Sequence, residues 1–475
     1  MKVEPQAGTR AATRAAAAAQ IEAAQRQRQM VRKLQEQLDR DLCSASLLGR
    51  VSEMERIIAA GGRVDVLSDD GLPPLHLAVQ KGHCPAINVL VSHGAKVDAR
   101  DKYGRVALQI AAALSDGLDA TTTLLEHGAL VDLQDARGFN SLYVASQFNN
   151  LEIVSLLLTK GAHVDMQLDG GATPLRVSAQ AGHASMVKLL LQHGAQVDLR
   201  NDDGWSPLYA ASLHNHPEVV AILLQNGSQV DQATHNGGST SLGIAACDGY
   251  DALARILLDH GAKIDLKCKQ GCSPLHWASQ DNRVEVVALL LRKGAQVDLS
   301  NGNGSTSLLL AAKHGYADCV RLLLLAGADP LLRNNDGDTP LDASTRENHP
   351  EVVNMLTHGP QIDLLNDEGC SALHQASHSG NVEVVTLLLE KGAQVDLPTD
   401  EGPAALKFAA FQGHTACIRL LLQAGAEPLR RDNGHTALDA ATHMNHPEVV
   451  ALLQARIAEM EQERKALQRP SPIGN

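Results

Sequence analysis

A leucine returns every 32 to 34 residues, thirteen times, at Leu42, Leu75, Leu108, Leu142, Leu175, Leu208, Leu242, Leu275, Leu308, Leu341, Leu373, Leu406 and Leu438. A period of that length means one supersecondary unit copied along the chain, each copy too small to bury its own apolar face. Function is therefore to be sought on a stacked surface and not in the pocket of one globular core.

Residues 171–199 show the unit. A turn at Gly171 leads to Thr173-Pro174, where proline presets φ for a first helical turn. A short helix is expected to run to about Ala181 and stop at Gly182. A second helix carries Met186, Val187, Leu189, Leu190 and Leu191 and ends before Gly194. Seven residues after the anchor leucine stands Gly or Asn: Gly82, Asn149, Gly182, Asn215, Gly249, Asn282, Gly315, Asn348, Gly380, Gly413 and Asn445. These two types best tolerate the left-handed backbone that ends a helix. Small residues at Ala78, Ala111, Ala145, Ala211, Ala278, Ala311, Ala376 and Ala409 let neighbouring helices approach closely.

Thr173-Pro174-Leu175, Ser273-Pro274-Leu275-His276 and Gly413-His414 resemble the ankyrin-repeat pattern of a hairpin turn plus two antiparallel helices. The likeness runs from residue 39 to about 457. It implies an all-α repeat fold: an ankyrin solenoid of about thirteen helix-turn-helix units with β-hairpin-like turns and helical extensions at both ends. Counted by phase, an Ala/Gln/Arg-rich helical extension (1–38) precedes an N-capping repeat (39–70). Repeats follow at 71–103, 104–137, 138–170, 171–203, 204–236, 237–270, 271–303, 304–336, 337–368, 369–401 and 402–433. A C-capping repeat (434–457) and a helical extension with its tail (458–475) complete the division. Departures are local. Only His76, His276 and His374 keep the motif histidine; 113–119 and 236–239 hold one extra residue each, and 356–360 and 424–432 are each one short. At roughly 10 Å per stacked unit, one continuous array would be on the order of 120 Å long.

The formal net charge is -13, and residues beyond 33 carry 34 basic and 52 acidic side chains. Nucleic acid, whose phosphates demand clustered cations, is a poor fit to that surface. Basic or mixed-charge segments of other proteins fit better. The eight cysteines, without paired CxxC spacing, read as reduced intracellular thiols. No apolar run approaches the ~18–20 residues of a membrane span, and residues 1–40 lack the apolar core of a secretory signal. Their Arg-rich, acid-poor start resembles a mitochondrial presequence, against which the glutamine-rich face weighs.

Residues 11–40, with Ile21, Met30, Val31, Leu34 and Leu38, read as an exposed helix feeding the first repeat. Val450, Leu453, Ile457, Met460 and Leu467 extend the last helix until Pro470 and Pro472, as a cap with a seam for weak self-association.

Candidate chemistry dissolves into repeat phase. Ten of the 21 histidines recur at fixed places: His83, His183 and His414 after Gly, His93, His127, His193 and His260 before Gly-Ala, and His216, His349 and His446 in Asn-His-Pro. Ser273 with His276, and Ser371 with His374, mimic a nucleophile and base, yet a spacing of three at a helix start fits a local cap. Cys268 and Cys272 lack the second ligand pair of a zinc site. The reading is a non-enzymatic protein without cofactor or metal.

The resemblance implies binding through hairpin tips and the exposed face of each first helix. One such phase follows the turn glycine, at Leu72, Arg105, Phe139, Ala172, Trp205, Cys272, Ser305, Asp338, Cys370, Pro403 and His435. Another lies five and six residues after the anchor, and includes Gln80-Lys81, Gln147-Phe148, Leu213-His214, Gln280-Asp281, Lys313-His314 and Phe411-Gln412. Of only eleven aromatics, six lie between residues 103 and 209. The candidate protein-binding residues are Tyr103, Phe139, Tyr143, Phe148, Trp205, Tyr209, Leu213, Trp277, Phe408 and Phe411, most at phases where a ring is at least partly exposed. A super-period adds to this: residues 271–299 and 369–397 agree at 21 of 29 positions, and five of the eight differences lie on or beside that row.

The expectation is a scaffold or adaptor of the cytoplasm or nucleus, serving signalling. The alternatives offered by resemblance are a regulatory subunit of a protein phosphatase and a membrane-cytoskeleton linker. The Val-Asn site that ankyrin arrays often offer to hydroxylation is here Asp: Asp65, Asp98, Asp132, Asp165, Asp198, Asp231, Asp265, Asp298, Asp363 and Asp396. Ser471, between prolines, is a weak phosphosite.

Overall fold

A computed structural model describes residues 7–357, 360–397 and 404–467. Pro403, Pro470, Ser471 and Pro472 lie outside them. Among the described residues there are 26 α-helices and a 3-10 turn at Pro360–Asp363, and the hairpins carry only isolated bridges such as Arg100 to Val106 and Ser300 to Thr306. The chain divides into two compact units, Met1–Gln229 and Val230–Asn475.

The unit at 171–199 folds for the reasons its sequence gives. The Thr173 side chain accepts the Arg176 N–H at 3.2 Å, which satisfies a donor that the helix itself cannot. Helix Pro174–Gln180 then runs to Gly182, whose φ of +76 turns the chain back. Helix Ala184–Gln192 buries Met186, Val187 and Leu190. Full burial of each such side chain contributes about 1.5–3 kcal/mol. All eleven Gly and Asn residues at the helix-ending phase have positive φ, Asn149 at 62° and Asn215 at 54° among them.

Stacking repeats the same contacts in each unit. In the first, helix Pro174–Gln180 packs between Ser141–Gln147 and Pro207–Leu213, and Ala184–Gln192 between Leu151–Thr159 and Pro217–Gln225. In the second, Pro274–Gln280 packs between Ser241–Asp248 and Ser307–Lys313. Twelve anchor leucines are buried. The thirteenth, Leu438, is half-buried in a helix, Ala437–His443, that packs on the first helix Ala405–Gln412 before it.

The ten carboxylates at the Val-Asp phase, two of them after Ile, form ladders between successive repeats inside each unit. Asp65 accepts the Lys96 N–H at 3.0 Å, and Asp165 accepts that of Gln196 at 3.0 Å. Asp98, Asp132 and Asp198 repeat the bond in the first unit. Asp231, Asp265, Asp298, Asp363 and Asp396 do so in the second. A second set of staples comes from the residue that starts each second helix. The Nε2 atoms of His183, His216, His349, His414 and His446 each bond a carbonyl in the last turn of the first helix one repeat earlier, at 3.0–3.2 Å.

The irregular phases behave as their lengths require. The hairpin at 234–239 closes over one more residue than its counterparts, Thr234 N–H to Ser239 O. The hairpin at 432–435 closes over one fewer, Asp432 N–H to His435 O. The shortfall at 356–360 includes 358 and 359, outside the described residues. The extension and the first repeat share one unbroken helix, Ala7–Leu47, with Ile21, Met30, Val31 and Leu34 exposed. Helix Pro447–Leu467 likewise continues past the last repeat. Val450, Ile457 and Met460 are half-buried and Leu453 is buried, because this helix packs on Thr415–Gln423.

Candidate protein-binding surface

Most hairpins among the described residues are held by a carboxylate, amide or hydroxyl that accepts the N–H four residues on. Asp101 accepts from Arg105, Asp135 from Phe139, and Asn201 from Trp205, at 2.8–3.0 Å. This fixes the residue after the turn glycine against the adjoining first helix. At Asp101 the Arg105 guanidinium joins in, Nε to Oδ2 at 2.8 Å. Burial alone would push the Asp101 carboxyl up, but the Arg105 and Tyr103 hydrogen bonds and the Arg105 charge outweigh it and hold the group below its ordinary range.

The aromatic candidates separate by burial. Tyr103 and Phe148 are 55% and 56% exposed. Lys102 Nζ and the Arg105 guanidinium each lie 5.1 Å from the Tyr103 ring centre, within cation–π range. Phe139 and Trp205 are half-buried, each laid on the tyrosine four residues on: Phe139 stacks on Tyr143 at 5.2 Å, and Trp205 tilts over Tyr209 at 5.5 Å. The outer face of Phe139 meets the Arg137 guanidinium at 4.4 Å.

Partial exposure fails at Tyr143 and Tyr209, which are 7% and 6% exposed. The third position of the first helix faces the next hairpin, so the Tyr143 ring packs with Leu168, Ala172 and Val177. Burial accordingly pushes the Tyr143 phenol up. These two rings support Phe139 and Trp205 from below. Leu213 is half-buried at the end of its first helix.

The second unit holds Trp277 and Phe408, both half-buried, and Phe411, which is exposed. Phe408 lies edge-on to His374 and His378 at 6.0 and 5.6 Å. The second unit also has a polar groove of about 900 Å³ spanning three repeats. The groove brings together Cys272, Gln280, Ser305, Lys313, His314 and Asp338, which the two binding phases had marked separately. It also contains Arg346, at the same phase five residues after Leu341, which phase counting reaches but aromatic content does not. Arg346 grips Asp338 with both terminal nitrogens at 2.6 and 2.7 Å, a bidentate pair that stiffens one wall.

The Ser-His pairs are helix caps. His276 Nδ1 takes the Ser273 N–H at 3.1 Å and meets its hydroxyl at 2.8 Å. Its Nε2 is 3.1 Å from Ser305 O in the next hairpin. With both ring nitrogens engaged in the core, and burial holding the imidazole below its ordinary range, the ring joins two repeats. No group of three or more His, Cys, Asp or Glu that could hold a metal occurs among the described residues. No helix among them is long and apolar enough to cross a membrane.

The family model for ankyrin repeats in three copies matches residues 42–135, 142–234, 230–301, 294–366, 355–432 and 373–464. The helix pairs, their left-handed stops and these matches place the chain in the ankyrin-repeat family, whose repeats are in general protein-interaction modules. Among solved structures it is similar to the human ASB11 ankyrin repeat domain, at 29% identity and a TM-score of 0.42, over 45% of this chain and 98% of that one. No curated protein matches the chain.

Proposed function

We propose that this chain is a non-enzymatic scaffold that holds partner proteins on the hairpin tips and first-helix faces of each unit. The observation that carries the reading is the row of accessible rings in the first unit, Tyr103, Phe139, Phe148 and Trp205, two of them propped on buried tyrosines. The aliphatic repeat core leaves such rings to the surface, and each can contribute about 2 kcal/mol or more as an interface anchor. The acidic excess beyond residue 33 favours basic or mixed-charge partner segments and speeds their encounter.

The test is proximity labelling in cells with the parent chain and a variant carrying Phe148→Ala, Trp205→Ala and Leu213→Ala. The variant should keep its helical circular dichroism and lose most labelled partners. An unchanged partner set at unchanged expression would remove this row from the binding surface.

A further inference from the structure

Several hairpins share a side-chain staple that the hairpin at 268–272, like the one at Leu168–Ala172, lacks. At 68, 101, 135, 201, 301, 334 and 366 a Ser, Asp or Asn side chain accepts the N–H four residues on. At 268 that phase is Cys268, whose thiol lies 3.1 Å from Gln270 Oε1 instead. The residue four on is also a cysteine, Cys272. The turn itself is standard: Cys268 N–H to Cys272 O at 2.9 Å, Gly271 N–H to Cys268 O at 2.9 Å, and Gly271 at φ +76.

Side chains at these two phases reach one another. Arg105 and Asp101, at the same positions of another hairpin, meet at 2.8 Å. Residues facing one another across antiparallel backbones have Cα atoms about 4.5–5.5 Å apart, inside the roughly 4.4–6.8 Å that a disulfide spans.

We infer that Cys268 and Cys272 form a reversible dithiol–disulfide site, oxidised by a low-molecular-weight disulfide such as glutathione disulfide. The bond would replace the missing side-chain staple of this hairpin and fix Cys272, which lines the 900 Å³ groove. Cys268 is half-exposed and Cys272 buried, and burial holds the Cys272 thiol above its ordinary range. The exposed sulfur therefore reacts first. As thiolate, Cys268 attacks one sulfur of glutathione disulfide and expels one glutathione thiolate. Cys272 gives its proton to solvent and attacks the Cys268 sulfur of the mixed disulfide, and the second glutathione leaves. The two protein thiols lose two electrons and two protons; glutathione disulfide becomes two glutathione thiols.

The molecule contains its own control. Cys370 is the counterpart of Cys272 in the duplicated segment, but its partner phase is Asn366, which accepts the Cys370 N–H at 2.8 Å. Serine occurs naturally at both phases, as Ser68 and Ser305, so Cys268→Ser and Cys272→Ser place residues that these hairpins already accommodate.

The experiment equilibrates the full chain in graded ratios of glutathione to glutathione disulfide, quenches with acid, alkylates, and maps tryptic peptides. Cleavage at Lys267, Lys269 and Arg283 separates the peptides 268–269 and 270–283, so only the bond joins them. The expected result is that linked pair, with Cys268 and Cys272 losing alkylation in one shared transition while Cys370 forms no protein disulfide. Either serine variant should abolish the linkage, and Asn366→Cys should create the equivalent linkage to Cys370. Glutathione retained on Cys268 with Cys272 still alkylated, or linkage of either thiol to another cysteine, would overturn the inference.

Discussion

The substitution His374→Gln should flatten the acid sensitivity of one repeat. His374 is buried, its Nδ1 accepting the Ser371 N–H at 3.0 Å. Protonating Nδ1 would turn that acceptor into a donor facing another donor. Burial, with the Arg430 charge adding to it, pushes the imidazole down to about 4 from 6.5, against the opposing charges of Asp432 and Asp363. The folded group is the weaker base, so the unfolded chain takes up the proton first as pH falls. The stability contributed by the neutral ring is complete above about pH 6.5 and is lost progressively towards pH 4. A difference of about 2.5 units, at about 1.4 kcal/mol each, amounts to ~3.5 kcal/mol. Glutamine is a fair replacement because Gln109 occupies the same phase and accepts the Val106 N–H at 2.8 Å. The assay is amide hydrogen exchange across Ala372–Ser379 in the full chain, corrected for intrinsic rates. Between pH 7 and 4 the parent should lose about a hundredfold more protection than His374→Gln, because titrations shared by both proteins cancel. Parallel profiles would refute the reasoning.

Two further substitutions probe the staples. Gly315 has φ +74 and an added Cβ would lie 2.7 Å from His349 Cγ, so Gly315→Ala must displace the ring bonded to Lys313 O and should cost about 2 kcal/mol or more. Gly327→Ala, at φ +89 with open space around it, should cost only about 1 kcal/mol; equal losses in urea melts would count against the His349 contact. Asp198 accepts the Gln229 N–H at 3.1 Å and the Ser228 hydroxyl at 2.7 Å, so Asp198→Ala should lose about 1–2 kcal/mol and Asp198→Asn less. Indistinguishable urea midpoints for the two variants would show the carboxylate to be idle.

The helix pairs were legible because their signals are local. Leucine phase, Pro174 and a left-handed Gly182 all act within one repeat, and each appears where the sequence places it. The Asp ladder was not legible. At Asp165 the sequence shows only a turn-forming acid, while its partner is a backbone N–H at residue 196, a group every residue possesses. The recurring histidines showed a common phase but not that they reach carbonyls of the preceding unit, as His216 does at Gln180. Phase located the accessible rings Tyr103 and Phe148 but misjudged Tyr143, because whether a ring is covered depends on Leu168 and Ala172 in the following hairpin.

The carboxylate ladder also bears on how such a chain can lengthen. Because the rungs span 31 or 32 residues, excising or copying a whole number of repeats rejoins an acid to an equivalent amide wherever the phase carries Asp. Unequal recombination would thus yield a foldable product at once, without compensating changes at the seam. The near-identity of 271–299 and 369–397 is the trace such an event would leave, with later divergence confined mostly to side chains outside the rungs.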